Sequence, residues 1–152
     1  MSTEFKVNQS EINNMVKRLQ SLGKEVTDRK ILQLIALTAR NNIIQRTMAG
    51  LDVNYKPMKE YNRNYALSEG KTTVNMTKTG KMLNSMIFKV MGTDTAKIFF
   101  ATARGRMLAK IHNTGKGKMP ERNFFGISAR DKKQAQQAYL KEVLRVKRAK
   151  SL

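Results

Sequence analysis

The segment from Ile31 to Met48 constrains this chain most. Ile31, Leu32, Ile35, Ala36, Ala39, Ile43, Ile44 and Met48 recur at three- and four-residue spacing, the pattern of a helix with one broad apolar face. Thr27 and Asp28 offer N-caps before it and Gly50 a stop after it. A helix of this length with so wide an apolar face needs a layer to cover it, so the rest of the chain is read for that layer.

The cover comes from several short elements. Ile12, Met15, Val16, Leu19 and Leu22 follow Ser10 at helical spacing and end at Gly23, which predicts a short amphipathic helix behind a loose, polar N-terminus over residues 1–9. Met86, Phe88 and Val90 alternate with Ile87, Lys89 and Met91, and Ala96 to Ala101 follow Gly92-Thr93-Asp94. That alternation and turn predict an antiparallel hairpin. Arg106 to Ile111 suits either a helical turn or a strand, and Arg122 to Gly126 reads as a third strand. Side-chain alternation along such a strand would send Phe124 and Phe125 to opposite sides. Ser128 and Asp131 have the spacing of a capping box for a terminal helix. Ala135, Ala138, Tyr139, Val143 and Val146 lie on one face of that helix, and Lys132, Lys133, Gln136, Gln137, Lys141, Arg145 and Arg148 on the other.

Residues 51–78 show no periodicity. They read as a long irregular excursion, mobile alone, whose Tyr55, Tyr61 and Tyr65 supply contact area for a neighbouring subunit. The expected fold is therefore α+β: a long central helix and a terminal helix packed on a small antiparallel sheet, within one domain spanning residues 1–152.

Composition narrows the chemistry. With no Cys among 152 residues and His112 the only histidine, thiolate catalysis, Cys-type zinc sites and His clusters are excluded. The eleven acidic residues are scattered without a close pair, so nothing predicts an enzyme, a cofactor or a bound metal. Gly70-Lys71-Thr72 resembles the end of a phosphate-binding loop, but Tyr65 stands where that motif needs its first glycine. No run nears the roughly 20 apolar residues that span a bilayer, so no membrane partner is expected and the chain reads as soluble and cytoplasmic when made.

Thirty basic residues against eleven acidic give +19. Residues from Arg104 onward carry fourteen basic and three acidic, net +11, against sixteen and eight, net +8, before it. A basic face containing Lys133, Lys141, Arg145 and Arg148 would meet acidic protein patches or, nonspecifically, DNA. A basic nucleic-acid-binding module acting through the C-terminal helix is the alternative functional reading.

Three segments, in order and ahead of a terminal helix, carry a resemblance. They are Thr79-Gly80-Lys81-Met82 with Ser85, Ile111-His112-Asn113-Thr114-Gly115, and Met119-Pro120-Glu121-Arg122-Asn123-Phe124-Phe125-Gly126-Ile127-Ser128 with Asp131. Together they resemble the phage virion-morphogenesis family of tail-completion and head–tail joining proteins, over about Ile35 to Val146. Tyr55-Lys56-Pro57 stands where that family often has Trp-x-Pro. The resemblance implies a structural virion protein of the neck or tail top, present in the host cytoplasm during assembly. It implies a homo-oligomeric ring of six or twelve copies, with neighbouring neck, connector or tail-tube proteins and DNA in its channel as partners. Arg122, Phe124 and Phe125 join the three tyrosines as expected interface residues.

Overall fold

The computed structural model describes residues 28–92 and 95–151. The short helix expected over residues 12–22, and Thr27, lie outside them. The described elements are α1 (Asp28–Met48), α2 (Arg63–Ser68), α3 (Lys81–Asn84), β1 (Met86–Met91), β2 (Thr95–Phe100), α4 (Ala103–Thr114) and α5 (Ala129–Lys150). β1 and β2 form a two-stranded antiparallel hairpin, so the fold is α+β. The chain divides into two compact units. The first holds residues 40–87 and 99–128, and the second the described parts of 2–39, 88–98 and 129–152.

In the second unit Leu32, Ile35, Ala36 and Ala39 of α1 are buried, with Ala96 and Ile98 of β2 and Ala135, Tyr139 and Val143 of α5. Asp131, in the first turn of α5, is also fully buried. The α5 stripe is narrow: residues 131, 135, 139 and 143 stack one turn apart, as i, i+4 neighbours do.

The first unit begins with the last turns of α1. Ile43 is buried as expected, but Met48 is 53% exposed, and Arg46 and Thr47 take the interior positions instead. Thr47 satisfies its hydroxyl by donating to Ile43 O at 2.6 Å. The helix ends in a Schellman arrangement: Leu51 N donates to Arg46 O and Gly50 N to Thr47 O, with Gly50 at φ 81°.

Outside α2 and one bridge, residues 51–78 are irregular, yet they contribute buried side chains. Met58 N donates to Gly50 O, and Leu51 and Pro57 form an antiparallel bridge. Between them the Asp52 carboxylate accepts from Asn54 N at 2.8 Å and Lys56 N at 2.9 Å, the usual way an Asx side chain closes a turn. Met58, Val74 and Met76 are buried. Lys71 Nζ donates to Thr77 O, and Lys78 pairs with Glu69 at 2.8 Å. The short helix α2, capped by Asn62, contributes no buried residue. Three apolar side chains spaced sixteen and two residues apart are invisible to a periodicity reading.

Arg106 to Ile111 is helical, inside α4. The Thr102 hydroxyl caps it by accepting from Gly105 N at 3.0 Å. At the far end Gly115 adopts φ 65°, and a Cβ there would stand 2.6 Å from Glu121 N.

The third strand is absent, a correction. Residues 121–126 are irregular because their hydrogen bonds go to separate places: Arg122 N to His112 O, Phe124 N to Arg122 O, and Val53 N to Asn123 O. Phe124 and Phe125 are not divided between two sides either. Both are buried, at 0% and 5% exposure, against Phe100, whose ring centroid lies 6.3 Å and 5.0 Å from theirs.

Candidate functional site

Two buried arginines organise the first unit. Arg122, 3% exposed, donates through Nε to Lys59 O at 2.7 Å and through Nη2 to Glu60 O at 2.8 Å. Its guanidinium lies over the Tyr61 ring, 5.0 Å from the centroid. Arg46, also 3% exposed, donates through Nη2 to Phe124 O at 3.0 Å and Gly126 O at 2.5 Å. It lies 5.7 Å from the centroid of Tyr55. Each arginine therefore joins two backbone carbonyls of a distant segment and covers one aromatic face, using a planar fork that lysine lacks. Arg122 ties the 121–126 segment to the excursion, and Arg46 ties α1 to the 121–126 segment.

The tyrosines expected to wait for a partner are occupied within the chain. Tyr55 sits at φ 60°, a conformation that L residues rarely adopt, at the tip of the 50–58 turn. The Tyr61 hydroxyl accepts from Met76 N at 2.9 Å, and Met76 is the other non-glycine residue at positive φ, 53°. Burial raises the Tyr61 pKa against the opposing Met76 hydrogen bond, with nearby Tyr65 raising it and Arg122 lowering it. Tyr65 stacks edge-on against Tyr61 at 5.0 Å and stays half-buried. Of the six residues expected at an interface, Arg122, Phe124 and Phe125 are interior in the chain itself, and the three tyrosines are partly covered.

Burial also lowers the Arg122 pKa, from so high a value that the group stays charged. That charge bears on His112, whose pKa is lowered first by burial and then by Arg122. His112 Nδ1 is buried without a hydrogen-bond partner, while its carbonyl accepts from Arg122 N at 2.8 Å. Next to it Asn113 Oδ1 accepts from Phe125 N at 3.0 Å. These residues hold backbone in place. Nothing in their arrangement pairs a nucleophile with a base, and among the described residues no three His, Cys, Asp or Glu side chains cluster as a metal site.

The basic residues of the C-terminal helix belong to the second unit. Lys133, Lys141, Arg145 and Arg148 are all exposed on α5. Arg145 is committed to Glu142 through two hydrogen bonds, 2.9 Å and 2.6 Å, which raise the arginine pKa and lower that of the carboxylate. Among the described residues no helix is long and apolar enough to cross a membrane.

Sequence reasoning missed Arg46. The signal was there: a cation placed between Ile43 and Gly50 on an otherwise apolar helix face, where a solvated arginine would interrupt the stripe. No protein-family model matches the chain, and neither does any curated protein or any solved structure.

Proposed function

We propose that the chain is a structural subunit of a phage neck or tail top, assembling as a ring that completes the tail and mediates head–tail joining. The observation that carries this reading is the union of the segments on which the resemblance rests. Ile111 to Gly115 and Met119 to Ser128 meet through the Arg122–His112 and Phe125–Asn113 hydrogen bonds. The Thr79 to Ser85 segment forms α3, and Ser85 crowds Gly105 of α4 so closely that a Cβ there would stand 2.3 Å from its hydroxyl. Residues scattered over fifty positions thus come together in one structural centre, which supports a binding role. Met48, Leu67 and Met107, between 53% and 72% exposed, supply adaptable apolar contacts for an adjoining copy. Cyclic closure is the usual arrangement for identical subunits around a channel.

Under this reading the exposed cations of α5 face acidic patches of the adjoining ring or DNA. Reversing Lys133, Lys141 and Arg148 to Glu together leaves the fold intact and impairs joining, giving unjoined heads and tails. Unaltered infectious-particle yield contradicts it. The exposure of those same side chains favours a second reading, a nucleic-acid-binding module acting through α5, for which the variant would lose DNA binding with no effect on assembly.

A further inference from the structure

From Phe99 to Pro120 the chain contains no acidic residue and five basic ones: Arg104, Arg106, Lys110, Lys116 and Lys118. The structure gathers them on α4 and the loop that follows it. α4 buries Gly105 and Ala109 on one side, which leaves Arg104 and Lys110 exposed on the rest of its surface. After the Gly115 cap, Lys116, Gly117, Lys118 and Met119 are all exposed, and a Cβ added at Gly117 would meet nothing within 4 Å. Arg106 differs from the others, since its Nη1 is turned back onto Phe100 O and Ala101 O. Arg104, Lys110, Lys116 and Lys118 have no acidic partner among the described residues. The acid next in sequence, Glu121, sits at the base of the loop against Gly115.

We propose that this surface, α4 with the Lys116-Gly117-Lys118 loop, is a docking site for the phosphate backbone of double-stranded DNA. Three features favour a nucleic-acid backbone over an acidic protein. The loop lysines are point charges on an open glycine turn, with none of the fixed bidentate geometry that shaped recognition of a carboxylate uses. No aromatic ring lies among the exposed side chains, so neither base stacking nor an aromatic-anchored protein interface is provided for. Unneutralised cations in an acid-free stretch release the most counterions on a polyanion, a gain that needs no matched partner residue. Its residues are not those of α5, where Glu142 already engages Arg145. It also stands whether or not the chain forms a ring.

The test measures binding of the full-length protein to a mixed-sequence 30-base-pair duplex across a salt series. Two variants of equal charge change are compared: Arg104, Lys110, Lys116 and Lys118 to Gln, and Lys132, Lys133, Lys141 and Arg148 to Gln. The first flattens the slope of log affinity against log salt by about 3 to 4, since each lost phosphate contact removes about 0.9. The second flattens it by less than 1. Equal flattening by both, or more by the α5 variant, overturns the assignment. Binding to poly-glutamate as tight as to the duplex also overturns it, by pointing to an acidic protein. Circular dichroism and thermal melting verify the fold. The loop-only variant Lys116→Gln/Lys118→Gln, which touches no core residue, flattens the slope by about half as much and keeps the test decisive should the fourfold variant misfold; no flattening in it overturns the proposal.

Discussion

The guanidinium of Arg122 lies 5.0 Å from the centroid of Tyr61 while its nitrogens bond the carbonyls of Lys59 and Glu60, just ahead of that ring. One side chain thus fixes both the path of the backbone and the direction of the tyrosine, whose hydroxyl in turn accepts from Met76 N. Breaking the first contact releases the second.

Arg122→Ala is therefore expected to cost about 3 to 6 kcal/mol, since two charge-assisted bonds at about 1.5 to 3 kcal/mol each are lost and their carbonyls left covered. Arg122→Lys loses less than this but remains clearly destabilised, because an ammonium cannot reproduce the fork. Tyr61→Phe, which removes only the Met76 contact, costs about 0.5 to 1.5 kcal/mol. Urea unfolding ranks the three. Hydrogen exchange adds a local readout, with the Met76 amide losing protection in Arg122→Ala ahead of global unfolding.

Phe124→Ala and Phe125→Ala are each expected to lose about 3 to 5 kcal/mol, the range for emptying an aromatic site in a core. Both rings pack on Phe100, so the two losses are not additive. Thermal melts of the single and double variants check both statements. A variant with wild-type stability would place its ring outside the core.

Gly115→Ala and Gly117→Ala separate space from backbone angle. Both glycines have φ near 70°, at 65° and 72°, a region that costs an L residue about 1 to 2 kcal/mol. At Gly117 that is the whole effect, since nothing lies within 4 Å. Gly115→Ala is expected to cost distinctly more, because its methyl would meet the Glu121 backbone at 2.6 Å, and the denaturation midpoints of the two variants give the comparison.

His112 makes stability depend on pH. Its folded pKa is below the ordinary 6.5, so between the two values the unfolded chain binds a proton that the folded chain does not. Stability contributed by neutral His112 is present above pH 6.5 and lost as pH falls through 6.5 toward the folded value, with a slope of at most about 1.4 kcal/mol per pH unit. Urea unfolding from pH 7.5 down to pH 5 displays the loss, and His112→Gln removes it.

The secondary structure near regular patterns was legible in the sequence, and the polar centre was not. Hydrophobic period alone revealed α1, the hairpin and the buried stripe of α5, because each repeats a spacing that only one backbone geometry serves. Arg46 and Arg122 act on carbonyls 78 and 62 residues away, and a backbone carbonyl leaves no mark on residue type. The 121–126 segment has the composition of a strand, Asn123-Phe124-Phe125, yet tertiary hydrogen bonds to His112, Asn113 and Arg46 take Arg122 N, Phe125 N, Phe124 O and Gly126 O away from a ladder. Tyr55 and Tyr61 stand out in an aperiodic stretch, but the arginines that cover them inside the chain, Arg46 and Arg122, cannot be read from that stretch.

The proposed place of the chain in a particle is tested most directly by imaging. Purified particles carrying a labelled copy of the protein, reconstructed at low resolution, are expected to show the label confined to the neck or tail top as a closed ring of six or twelve copies. Label absent from the particle, or scattered as isolated copies that do not touch, contradicts the assignment.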